Sequence, residues 1–167
     1  MSSTATRREE LNLRIQSFSA ELRQGTKLSP RLVELLRLRI AFHNQCRPCM
    51  SVRYGAALDE GLSESMVCSL EKPEEAADLG PAEKAALAFA DRFATDHLSI
   101  DAALLGRLRE HFAEDELAEL GALAACFVGF GRMGAVFDGG EQWPVGPRKA
   151  DGTRLAPWEV AEPFVVR

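Results

Sequence analysis

Residues Phe42 to Gly55, FHNQCRPCMSVRYG, hold two cysteines separated by two residues, with a histidine before them and an arginine after. Three chemistries fit Cys46 and Cys49: a redox dithiol, half of a metal site, or two small core residues. Side chains three apart on a helix project from one face, so the two sulfurs can close a disulfide with little backbone movement. The first turn of a helix also offers free N–H groups and a positive dipole end, which favour thiolate over thiol. Arg47 and Arg53 add positive charge, and cysteine pKa values in such settings fall to roughly 3.5–7.5. A structural zinc site needs about four ligands. No second cysteine pair exists, and beyond His43 the histidines, His97 and His111, fall in other segments without ligand-like spacing. No metal is therefore expected. Cys68, on a short amphipathic helix, and Cys126, in the most apolar stretch, are expected to be small core residues.

The elements that must carry this pair read as helix after helix, an all-α chain with no internal repeat. Leu11, Ile15, Phe18 and Leu22 recur at helical spacing within Arg8 to Arg23. Ser29-Pro30 is a helix start, with Ser as N-cap and Pro at the first position, and the helix runs to about His43. Asn44-Gln45 breaks it. A second run spans Cys46 to Glu60 and stops at Gly61. Ser63 caps a helix to about Leu70, Gly80-Pro81 opens the next, and Asp101 starts another. The last runs from about Glu114 to Asp138 and is apolar on nearly all sides, so it should be buried on most faces, with help from a subunit interface. After Gly139-Gly140 the composition changes. Segment 141–167 carries four of the eight prolines and both tryptophans, and is expected as an extended strap packed on the 1–140 domain or on a neighbouring subunit, with Trp143 and Trp158 at least partly buried.

A chain of 167 residues that is 46% hydrophobic and 27% charged fits one ordinary globular domain. A net charge of -5 gives a nucleic-acid role no electrostatic support. The polar start, Met1 to Glu10, lacks the apolar core of a secretory signal. The longest uncharged apolar run, Leu120 to Gly131, is shorter than a bilayer span. A cytoplasmic protein without nucleic-acid or membrane partners is the expectation, and there cysteines serve as thiols, ligands or catalytic groups more than as structural disulfides.

The segment SPRLVELLRLRIAFHNQCRPC, from Ser29 to Cys49, resembles the core of the carboxymuconolactone decarboxylase and alkylhydroperoxidase D superfamily. Glu34, Ala41, Asn44, Cys46 and Cys49 fall at the superfamily spacing. The helix from Gly80 through Leu87 matches its downstream helix, and the likeness spans about Leu28 to Asp138. The resemblance implies an alkylhydroperoxidase D-like helical bundle, and the apolar stretch from Leu117 to Phe130 makes a homo-oligomer the expectation. The resemblance also implies thiol-dependent reduction of a hydroperoxide without an organic cofactor. Cys49 would be the attacking thiol, Cys46 the resolving thiol and Glu34 part of a proton relay. A dithiol donor, such as a lipoyl-carrying protein, would reset the pair.

Two features pull against a simple transfer. Helix electrostatics alone favours the more N-terminal Cys46 as the lower-pKa thiol. The superfamily's relay histidine, four residues beyond the second cysteine, is Arg53 here. An arginine can stabilise a thiolate but stays protonated and cannot shuttle a proton, so His43 is the candidate substitute and a weak peroxidase is expected. Glu34 also has Arg31, Arg37 and Arg39 nearby as ion-pair partners. The rival readings are a lactone decarboxylase-like lyase, which does not depend on a cysteine pair, a general disulfide oxidoreductase on the same fold, and a non-enzymatic redox-responsive oligomer.

Overall fold

The computed structural model describes residues 7–137, 143–145 and 151–167. The polar N-terminal start, the helix end expected at Asp138 and the boundary at Gly139-Gly140 lie outside them.

Helix α1 (Arg7–Gln24) ends where the Gly25 N–H returns to the Glu21 carbonyl. Helix α2 (Pro30–Asn44) begins as the sequence predicts, with the Ser29 hydroxyl accepting from the Leu32 N–H at 3.2 Å. It stops at Gln45, which takes a left-handed conformation with φ 55°. That conformation is held from outside. The Gln45 amide donates to the Phe42 and Leu155 carbonyls and accepts from the Leu155 N–H at 2.8 Å.

The single helix expected from Cys46 to Glu60 does not form. Helix α3 (Arg47–Met50) is one turn, strand β1 (Val52–Tyr54) follows, and helix α4 (Gly55–Asp59) resumes. The cause is nonlocal: β1 pairs in parallel with β2 (Phe164–Val166), Val52 opposite Phe164 and Tyr54 opposite Val166. Gly55 suits the junction, since a Cβ there would lie 2.9 Å from the Arg167 side chain.

Helix α5 (Glu64–Ser69) is capped by Ser63, and a short 3-10 turn covers Pro73–Glu75. Helix α6 (Pro81–Thr95) opens with the Gly80 N–H on Glu83 at 2.8 Å. Helix α7 (Ala102–Arg109) opens with Asp101 accepting from the Leu104 N–H at 2.8 Å. Helix α8 (Glu114–Val136) follows. The fold is an all-α bundle with one short parallel strand pair.

Helix α2 is the centre. Leu32, Leu36 and Ile40 pack against α6, α7 and α8 in one core, while Leu35 and Leu38 meet α4, α5 and Leu87 in a second. A third, smaller cluster joins Ala41 and Met50 to Val145, Leu155 and Val160 of the tail. Trp158 stacks on Phe42 with ring centroids 4.9 Å apart, Trp143 lies 6.4 Å from Phe164, and both indoles are half-buried.

Helix α8 departs from expectation. It buries Leu120, Leu123, Ala124, Cys126, Phe127 and Gly131, but Ala118, Ala122, Ala125 and Gly129 on the other face are exposed. By length and composition it is apolar enough to cross a membrane, and 33% of that stretch is buried inside the structure. One chain therefore does not bury this helix on most faces.

Candidate active site

Cys46 is the N-cap of α3, and its sulfur accepts from the Cys49 N–H at 3.3 Å. The two sulfurs are bonded. Pro48 sits in the first turn of α3, where its missing N–H costs nothing. Because α3 has four residues, the dipole argument shrinks to one turn of free N–H groups. The two cysteines differ in setting: Cys46 is 0% exposed, whereas Cys49 is half-buried and lines a cavity of about 920 Å³. Helix α8 passes close behind them. A Cβ at Gly134 would come within 3.1 Å of the Cys46 sulfur, and one at Gly131 within 2.3 Å of the Asn44 amide, which donates to the Phe127 carbonyl. These glycines let α8 approach the disulfide.

Glu34 is 1% exposed and is gripped by Arg37, whose Nε and Nη2 each donate to it at 2.7 Å. Arg37 continues to the Cys49 carbonyl at 2.6 Å and the Val52 carbonyl at 2.8 Å, and the Tyr54 N–H donates back to Glu34 at 3.3 Å. Burial works to lower the Arg37 pKa, but the charge and hydrogen bonds of Glu34 together raise it. The pair is thus a fixed buried ion pair that ties α2 to the backbone on both sides of the cysteine turn.

Arg53 is 0% exposed, and none of its five N–H groups reaches a sulfur. Two hold Glu64, at 2.9 and 3.0 Å, and the others serve the Met50, Val52 and Pro157 carbonyls. His43 is turned toward α6, its Nε2–H donating to Asp91 at 2.6 Å, while Arg39 holds the same carboxylate at 2.5 and 3.0 Å. The His43 Nδ1 is buried without a hydrogen-bond partner among the described residues. For Asp91, burial acts to raise the pKa, but the hydrogen bonds from His43 and Arg39 carry it below the ordinary carboxylate value. The structure therefore brings Glu34, through Arg37, to Cys49, and leaves His43 and Arg53 off the cavity wall.

Cys126 is buried as expected, and burial pushes its thiol pKa up. Cys68 is exposed, contrary to the core setting expected of it. Among the described residues no group of three or more His, Cys, Asp or Glu side chains is placed to hold a metal ion.

Sequence reasoning did not find the cavity. Its walls come from α1 (Ile15, Ser19, Arg23), α8 (Phe127, Phe130, Met133), β1 (Val52, Tyr54) and the tail (Trp143, Val166), with Cys49 on its surface. The Arg23 guanidinium lies 3.9 Å above the Tyr54 ring. The weak apolar periodicity of α1 was the sole signal for this wall.

A profile of the carboxymuconolactone decarboxylase family matches residues 9–92, from α1 into α6. Two uncharacterized proteins of Mycobacterium tuberculosis, from strains CDC 1551 and H37Rv, are each 39% identical over 95 residues, 56% of this chain. The chain covers 33% of the length of these relatives. A solved Agrobacterium tumefaciens protein of unknown function, whose description suggests the antioxidant defence protein AhpD, superposes with a TM-score of 0.67 at 19% identity. That likeness covers 84% of this chain and 92% of the other, and concerns the fold.

Proposed function

Since this chain belongs to the carboxymuconolactone decarboxylase family, we propose that it is a thiol-dependent hydroperoxide reductase working through Cys46 and Cys49. One observation carries the reading: Cys49 lines a large cavity while Cys46, bonded to it, is fully buried. An attacking thiol needs access to substrate, and a resolving thiol needs only to reach the attacker. That asymmetry favours Cys49 as nucleophile, where helix electrostatics alone favoured Cys46.

The reaction has two steps. The Cys49 thiolate attacks one peroxide oxygen; the S–O bond forms, the O–O bond breaks, and the departing alkoxide takes a proton to become the alcohol. Cys46 then attacks the resulting sulfenic acid at sulfur; the S–S bond forms, the S–O bond breaks, and hydroxide leaves with the Cys46 proton as water. The dithiol loses two electrons and the peroxide gains them. An external dithiol, such as a lipoyl group on a carrier protein, restores the pair by thiol–disulfide exchange.

Glu34 acts here as a positioning residue through Arg37. Its carboxylate is engaged by Arg37 and the Tyr54 N–H, and His43 and Arg53 are engaged elsewhere. Proton delivery falls to solvent entering the cavity. General acid–base help is worth roughly 10²–10⁴-fold, so slow turnover is expected. A lyase on this fold would not need the dithiol, whose presence supports the redox reading. The exposed Ala118, Ala122, Ala125 and Gly129 face of α8 supports homo-oligomer formation.

The test is thiol counting on the reduced protein before and after one equivalent of hydroperoxide. Two thiols should disappear. In Cys46→Ser a sulfenic acid should persist at Cys49 and react with dimedone. In Cys49→Ser the peroxide should be left intact. Persistence of all four thiols overturns the proposal.

A further inference from the structure

The cavity is lined mainly by apolar side chains, Ile15, Phe127, Phe130 and Met133 among them, with Asn12, Gln16 and Ser19 on the α1 side, and two arginines also reach it. They differ in one respect. Arg37 is neutralised by Glu34 through two hydrogen bonds. Arg23 is half-buried, and its Nη1 donates to the Ser19 hydroxyl at 2.8 Å, but no carboxylate pairs with it among the described residues. Its guanidinium is fixed in place over the Tyr54 ring. The neighbouring Cys126 thiol offers no counter-charge, because burial pushes its pKa up.

Half-burying a cation beside apolar surface with no carboxylate in contact is costly, and the Glu34 charge acts on Arg23 only from beyond hydrogen-bond reach. Burial accordingly lowers the Arg23 pKa, but an arginine remains charged at neutral pH. We propose that the cavity binds an amphipathic monoanion, an apolar chain or ring bearing one carboxylate, with the carboxylate received by Arg23 and the apolar body lying on the α8 wall. This rests on the reductase reading only for the further step, in which that molecule carries the hydroperoxide presented to Cys49. A planar guanidinium presents paired N–H groups that match a carboxylate, and the apolar lining excludes a small hydrated anion as the preferred guest.

The experiment is calorimetric titration of the full chain with decanoate and with 1-decanol, which share a ten-carbon body. Decanoate should bind about tenfold or more tightly than decanol, the range of a charged hydrogen bond. Arg23→Gln should erase that difference while leaving decanol binding in place, which also reports that the variant is folded. Arg23→Lys should retain part of the preference. Equal affinities in the wild type, a preference that survives Arg23→Gln, or no saturable binding of either probe overturns the proposal. Neither probe carries a peroxide. Selective decanoate binding by a protein inert to hydroperoxides would sink the reductase reading alone, and peroxide-driven thiol loss without decanoate preference would sink the Arg23 proposal alone.

Discussion

Arg37 donates to the Cys49 carbonyl at 2.6 Å while holding Glu34 with two further N–H groups at 2.7 Å. One guanidinium therefore joins the buried carboxylate to the backbone of the accessible cysteine. Replacing Glu34 by Gln should leave the Arg37 charge buried and unpaired. Breaking a buried pair in this way costs about 3–5 kcal/mol. Urea denaturation should show that loss, and the Cys49 alkylation rate should change as its backbone loosens. Unchanged stability would mean that the ion pair does not hold the turn.

Arg53 stands where the resemblance implied a relay histidine, and in the structure it clamps Glu64, the cysteine turn and the Pro157 carbonyl together. An imidazole cannot replace five N–H donors. Arg53→His should destabilise the protein by about 3 kcal/mol, the scale of several buried acceptors losing their donor, and should not raise peroxide turnover. Faster turnover in a fully stable variant would restore the relay view.

The free thiols should separate by access. Cys68 is exposed, and Cys126 is buried with a raised pKa. Iodoacetamide at neutral pH should label Cys68 in the native oxidised protein and leave Cys126 untouched until denaturant is added. After peroxide treatment of the reduced protein, peptide mapping should find Cys46 bridged to Cys49, with Cys68 and Cys126 still thiols.

Asp91 joins Arg39 and His43 between α2 and α6. Its pKa is lowered in the folded state, so it stabilises the fold above the unfolded value of ~3.9, and this contribution fades as pH falls through the folded value. Asp91→Asn should cost about 1–3 kcal/mol at pH 7, and the gap to wild type should close in acid. His43→Gln should lower the melting temperature without changing the rate of thiol oxidation. A large rate loss would place His43 in the proton path after all.

Local signals in the sequence mark the helix starts well. Ser29-Pro30, Ser63, Gly80-Pro81 and Asp101 open helices as read, because capping depends on residues a few positions apart. The spacing of Glu34, Cys46 and Cys49 likewise pointed to residues that the fold does bring together. What stayed hidden is nonlocal. Val52 to Tyr54 becomes a strand because its partner arrives at Phe164 to Val166. The direction of His43 is set by Asp91 on another helix, 48 residues on. Helical periodicity gave Cys68 a core position it does not occupy, and the apolar character of α8 did not reveal which face stays open.

The cysteine turn is fastened from far along the chain. Gln45 is held by Leu155 across 110 residues, Arg53 by Pro157 across 104, and Arg47 by Val145 across 98. Closing such long loops costs entropy before any contact repays it, and distant pairings slow folding. These three contacts all come from the tail, so the turn is expected to take its final shape only when the tail docks. A molecule that refolds with oxidant present meets that stage with unconstrained thiols at positions 46 and 49 and an open one at Cys68. Its cysteines can then pair before the tail has sorted them. Refolding first and oxidising afterwards should give one disulfide isomer, and the reverse order a mixture.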